Sequence, residues 1–210
     1  MANPTIGELQ HTEKFKLLAR PEHKQIKNFI FEQLASGGKI IRLFMVYQGI
    51  MILAGLFFFV RSLILSFQGE NNPLFWALGA LVFSFSLLII MHELLHFLAL
   101  KWTGAPRINI GGSLKKFIFY AEADRHVLNR KQYTRVALTP FVAVKMATLT
   151  GMLFTAGHPA FNFWMVVMSV HSLFCAGDFG MLAFFSRFPG SKIYTFDMKE
   201  EKRSYFFMEI

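Results

Sequence analysis

The stretch Ser86-Leu87-Leu88-Ile89-Ile90-Met91-His92-Glu93-Leu94-Leu95-His96-Phe97-Leu98-Ala99-Leu100 decides how the rest of the chain is read. It sets His-Glu-x-x-His near the end of an apolar run that begins at about Leu74. A helix turns about 100° per residue, so His92 and His96 fall on one face, one turn apart, where both imidazoles can bind one Zn²⁺. Glu93 stands beside His92 and can reach a water held by the ion rather than the ion itself. On a soluble surface helix two histidines at this spacing carry little message. Inside a membrane-length apolar run, two imidazoles and a carboxylate are costly unless they meet water, a metal or partners.

Composition agrees with a membrane setting. Of 210 residues 54% are apolar and 26 are Phe, and the mean hydropathy is +0.41, too apolar for a soluble chain of this size. The net charge of +9 raises nucleic acid as a partner. The basic residues, however, are split among terminal and loop segments with no aromatic-basic reading module, so membrane topology accounts for them and nucleic acid does not. A single cysteine, Cys175, excludes an intrachain disulfide framework. The first forty residues are polar and charged, with no cleavable signal in view, so the first apolar run is expected to serve as an uncleaved anchor.

The pattern predicts an all-α integral membrane protein with four transmembrane helices. The runs are Ile41–Val60 continuing to Phe67, with Arg61 placed to snorkel, then Leu74–Leu100, Val136–Ala156 and Ala160–Phe185. Each exceeds the ~20 residues that cross hydrocarbon. Ahead of them, residues 1–40 form an N-terminal tail. Ile26, Phe29, Ile30 and Leu34 give its part His23–Leu34 a helical stripe, read as an amphipathic helix, and Gly37-Gly38 breaks it. The membrane domain covers 41–186, and residues 187–210 form a second tail. Lys and Arg gather in the two tails and in the loop 101–135, whereas Gln68–Pro73 and Gly157–Pro159 hold none. Both termini and the middle loop are therefore expected on the cytoplasmic side of the cell membrane. Within that loop, β-formers around Gly111-Gly112-Ser113 read as a small hairpin between spans two and three. It is either an edge that accepts an extended substrate as an added strand or an ordinary interfacial hairpin.

Catalytic zinc takes three protein ligands and keeps one position open. The extended pattern with a further Gly and His is absent, because Ala99 and Trp102 occupy those places. Asp178, the one carboxylate of the fourth span, is the leading candidate. Counted from the cytoplasmic ends of their spans, His96 and Asp178 differ in depth by only about 5 Å at 1.5 Å per residue. The same count sets His171 two turns deeper, roughly another 10 Å away, as a helix–helix hydrogen-bonding residue. Glu122, Asp124 and His126 of the loop remain rivals for the third position. The small residues Ala176, Gly177 and Gly180 would let helix backbones approach closely. Lys145, some ten residues into the third span, is open to three roles: snorkelling, pairing with Asp178, or steadying an oxyanion. Pro140 is expected to kink that span near its cytoplasmic mouth.

With His92-Glu93-Leu94-Leu95-His96 on one span and Ala176-Gly177-Asp178 on a later one, the chain resembles the membrane-embedded site-2 proteases. More closely it is similar to the zincin-peptidase family of small bacterial four-span proteins, over roughly Leu74 to Pro189. The resemblance implies zinc as cofactor, His92, His96 and Asp178 as its ligands, and Glu93 as the catalytic acid and base. It departs at Gly177-Asp178-Phe179, where site-2 proteases carry Leu-Asp-Gly behind an Asn-Pro element. The implied activity is hydrolysis of peptide bonds in membrane proteins or peptides near the cytoplasmic face. The alternative is a non-catalytic zinc-binding membrane scaffold.

Overall fold

The computed structural model describes residues 3–113 and 118–210. The chain divides into two compact units. The first comprises Met1–Ile41, Glu93–Thr139 and Gly177–Ile210, the second Arg42–His92 and Pro140–Ala176.

The second unit is helical. Helix α3 (Lys39–Phe67) opens it; α4 (Asn72–Phe83) follows, then a single π-helical turn (Ser84–Leu88) leading into α5 (Ile89–Trp102). Most of α6 (Arg130–Phe154) and all of α7 (Phe161–Phe174) complete it. Its polarity is inverted relative to a water-soluble bundle. Leu43, Val46, Ile50, Leu53, Phe57, Val60, Ile64 and Phe67 recur every three or four residues along α3 and are exposed, while Gln48 and Ser62 of the same helix are buried. Those buried groups bond to α7: Gln48 Nε2 donates to Ser172 Oγ (2.9 Å) and Ser62 Oγ to Asn162 Oδ1 (3.3 Å), while Ser169 Oγ of α7 donates to the Met51 carbonyl (2.5 Å). Interhelical hydrogen bonds and close backbone approach hold helices together where no water drives them. Gly55 and Gly151 provide the approach: a Cβ would lie 2.2 Å from Ser169 Oγ in one case and 2.3 Å from the Trp164 indole in the other.

Three helical segments, Lys39–Phe67, Asn72–Trp102 and Arg130–Phe154, are long and apolar enough to cross a membrane. Where a fourth continuous span was expected, two shorter helices stand. The helix stops at Phe174, Cys175 caps it, and α8 (Ala176–Ser186) restarts with a bend of 45°. The two pieces reach membrane length only when taken together.

The first unit corrects the all-α expectation. Beside α1 (Ile6–Leu9) and α2 (Ile26–Ala35), it holds a four-stranded antiparallel sheet. The strands are β1 (Phe15–Ala19), β4 (Leu128–Asn129), β5 (Ile193–Met198) and β6 (Arg203–Glu209), in the order β1-β6-β5-β4. Segments expected to be tails thus supply three of its strands. Successive side chains on a strand face opposite ways, so Phe206 and Phe207 anchor two different clusters. Phe206 packs with Ile193, Met181, Phe184 and Phe185, the last three from α8. Phe207 packs with Phe196, Leu9 and Val127. The expected hairpin is present as β2 (Ile108–Ser113) paired with β3 (Ile118–Ala123), but Gly111 and Gly112 lie within β2, opposite Tyr120 and Phe119. Residues 114–117, between the two strands, lie outside the described residues.

Candidate metal centre

His92, Glu93 and His96 all lie on α5, with the two imidazoles one turn apart, and all three are buried. The π-turn immediately ahead of α5 adds a residue to one turn of the helix and so resets which face His92 presents. Such turns concentrate at functional positions. Ser86 Oγ bonds back to the Val82 carbonyl within it (2.6 Å). Nothing in the apolar pattern of 84–88 signals this feature.

In the first unit, His96 Nε2 stands 3.2 Å from Asp178 Oδ1, and the other ring nitrogen, Nδ1, lies 3.1 Å from the carbonyl oxygen of Val136. A carbonyl only accepts, so Nδ1 carries the proton of a neutral His96 and Nε2 keeps its lone pair toward the Asp178 carboxylate. At this distance a proton on Nε2 makes an ion pair with the carboxylate, and a metal ion taking its place would be held by the same two atoms. With metal–nitrogen and metal–oxygen bonds of about 2.0–2.2 Å, two ligands of a tetrahedral zinc ion sit roughly 3.4 Å apart. The His96–Asp178 separation fits that edge.

The Val136 carbonyl is available for a sequence reason. In α6 it would accept from the N–H four residues on, and that residue is Pro140, which has none. Pro140 therefore leaves one carbonyl without its helical donor, and His96 takes the place. A metal-bound histidine characteristically donates its second N–H to such a group, which fixes ring and tautomer. The signal was present in the sequence as a proline four residues after Val136, but only the fold brings His96 to it.

Asp178 lies in the first turn of α8. Arg130 Nη2 donates to the carbonyls of Phe185 (2.7 Å) and Phe188 (2.5 Å), holding acceptors at the far end of that helix. Tyr133 stacks on Phe185 at 4.7 Å, and Gly180 lets Ile30 of α2 approach, so closely that a Cβ would lie 2.8 Å from Ile30 Cγ2. The small residues around Asp178 thus admit the amphipathic α2.

The loop rivals are engaged otherwise. Glu122 Oε2 faces His23 Nδ1 at 3.6 Å, Asp124 Oδ1 accepts from the Lys199 backbone N–H (3.0 Å), and His126 Nε2 meets Thr103 Oγ1 at 3.1 Å. Burial raises the Glu122 carboxyl above the usual range and lowers the His126 imidazole below it.

In the second unit, His92 Nδ1 and His171 Nε2 are 3.1 Å apart. The helix–helix hydrogen bond expected of His171 is present. It leaves His92 Nε2 free of the proton when Nδ1 donates, as Val136 does for His96. Lys145 Nζ lies 4.7 Å from the centre of the Tyr47 ring, 3.3 Å from Met51 Sδ and 3.5 Å from the Met168 carbonyl.

A His-Glu-x-x-His helix with a carboxylate set against its second histidine is the donor set of a zincin. The model of a family described as "Putative zincin peptidase" matches residues 85–193, just over half the chain, and the chain belongs to that family. No curated protein and no solved structure matches it.

Proposed function

We propose that this protein is a membrane-embedded zinc metallopeptidase that cleaves membrane proteins or peptides, with His92, His96 and Asp178 as metal ligands and Glu93 as acid and base. The observation that carries the reading is the pairing of His96 Nε2 with Asp178 Oδ1 while Nδ1 is committed to Val136. Held by these residues, Zn²⁺ supplies Lewis acidity, polarising a scissile carbonyl and lowering the pKa of water towards neutrality. Glu93 follows His92 on α5 and does not belong to the ligand pair. Its carboxylate accepts the proton of the attacking water and returns it to the departing amine, so it carries one proton between the two halves of the reaction. Val136 and His171 hold the two imidazoles in the tautomer that offers Nε2. The inverted α3, exposed Leu and Phe outside and buried Gln48 and Ser62 inside, supports placing the helical unit in lipid.

The test uses full-length protein purified in detergent, with zinc content measured beside cleavage of a panel of single-span membrane peptides. Glu93→Gln is expected to retain zinc and lose cleavage, and Asp178→Ala to lose both. A Glu93→Gln variant that cleaves like wild type removes the catalytic assignment. Bound zinc with no cleavage in the wild type favours a scaffold.

A further inference from the structure

We infer that the second unit contains another metal position, built from His92 Nδ1, a ring nitrogen of His171 and Cys175 Sγ, for a thiophilic closed-shell ion such as Zn²⁺ or Cu⁺. The inference rests on the reading above only in that His92 is shared. His171 and Cys175 are fully buried and His92 nearly so, and one ligand atom from each lies within 4.8 Å of the others. His171 and Cys175 are four residues apart on one face, at the C-terminal end of α7, where the helix stops.

The distances suit an ion. His92 Nδ1 to His171 Nε2 is 3.1 Å, and Cys175 Sγ is 3.7 Å from His171 Nδ1 and 4.0 Å from Nε2. For bonds of about 2.0 Å to nitrogen and 2.3 Å to sulfur, ligand–ligand edges are roughly 3.3–3.5 Å and 3.5–3.7 Å in tetrahedral or trigonal geometry. Small side-chain rotations close the difference. One thiolate with two imidazoles is a soft donor set, unlike the His–carboxylate pair at Asp178, and it discriminates toward thiophilic ions. Phe85 and Phe174 lie edge-to-face beside it (6.0 Å), and His171 meets Phe174 (6.4 Å), giving an apolar wall. Cys175 is the chain's one cysteine.

Binding here displaces the proton shared by His92 and His171 and that of the thiol. The His92–His171 hydrogen bond is thus the ion-free state of the pocket. Because His92 serves both donor sets, an ion in the soft position alters His92 as a ligand of the first. Excess thiophilic metal should therefore inhibit cleavage through Cys175.

The experiment titrates detergent-purified, metal-stripped full-length protein with Co²⁺ and reads thiolate-to-cobalt charge-transfer absorption, which Asp and His ligands do not give. Wild type is expected to bind one equivalent without the band and a second with it. Cys175→Ser should keep the first and lose the second. A His96→Ala/Asp178→Ala double variant should bind only the equivalent that carries the band. Absence of the band from wild type at tenfold excess Co²⁺ overturns the inference, and so does its loss in the double variant. Neither result touches the zinc content and Glu93→Gln cleavage that test the peptidase reading.

Discussion

Pro140→Ala separates a positioning role from a packing role, because the two move stability and metal affinity differently. The alanine restores an N–H four residues after Val136, and that N–H competes for the carbonyl that His96 Nδ1 occupies at 3.1 Å. Losing a hydrogen-bonding partner of a metal-bound histidine typically costs 10–100-fold in metal affinity, which is about 1.4–2.7 kcal/mol at 1.4 kcal/mol per tenfold. The helix moves the other way. A proline inside a helix costs about 3 kcal/mol relative to alanine, offset in part by the volume removed from a fully buried site. The metal-free variant is therefore expected to be at least as stable as wild type while binding zinc 10–100-fold more weakly. Chelator competition gives the affinity, and thermal unfolding of the metal-free protein in detergent gives the stability. Zinc affinity within twofold of wild type would refute the claim that Val136 sets His96. A fall in both quantities would mean that Pro140 acts by packing alone.

Phe206→Ala should cost about 3–5 kcal/mol, since the ring is fully buried against Phe29, Phe184 and Phe185. It should also weaken zinc binding, because α8 carries Phe184, Phe185 and Asp178; denaturant unfolding and a zinc titration check the two effects. Gly151→Ala and Gly180→Ala should each destabilise by roughly 1–3 kcal/mol, as the new methyl meets the Trp164 indole in one and Ile30 in the other, read as a fall in thermal midpoint. Asp197 of β5 has its carboxyl raised above the ordinary aspartate range by burial, with Asp124 adding to the shift and a hydrogen bond from Ser204 Oγ (2.6 Å) opposing it. The folded state therefore holds this proton more tightly than the unfolded chain. Its contribution to stability falls as pH rises from the ordinary value through the raised one, and stays low above. Asp197→Asn should raise the midpoint at pH 7, and the gain should shrink toward zero as pH approaches about 4.

The centre was legible in outline because its residues carry chemistry that an apolar helix does not tolerate without reason. His92, Glu93 and His96 stand four residues or fewer from one another on one element, so helical spacing alone puts the imidazoles on a common face. Asp178 stands out as the one acidic residue of its run. What was not legible depends on chain direction rather than residue type. Cys175 stops α7 in a sequence whose hydropathy continues without interruption to Phe185, and neither Gly177 nor any proline marks the break. The sheet was hidden for another reason: β1 pairs with β6 across almost the whole length of the chain, and its charged, mixed composition has no clean alternation to announce a strand.

That hidden sheet changes how the site is held. A carboxylate on a membrane helix, positioned only by lipid and neighbouring helices, would have its depth set by hydrophobic length, which tolerates shifts of several ångströms. Asp178 must meet His96 to within a few tenths of an ångström to share an ion. Here α8 is fastened by Phe184 and Phe185 to Phe206 of a packed antiparallel sheet, and by Arg130 to the start of α6, the helix whose next turn presents Val136. The segments that look like charged tails thus mount Asp178, the proposed third ligand. Removing them should cost the metal before it costs the helices: a chain ending at Pro189 should retain its helical circular dichroism and lose zinc. Full zinc occupancy in that truncated chain would show that the sheet does not position Asp178.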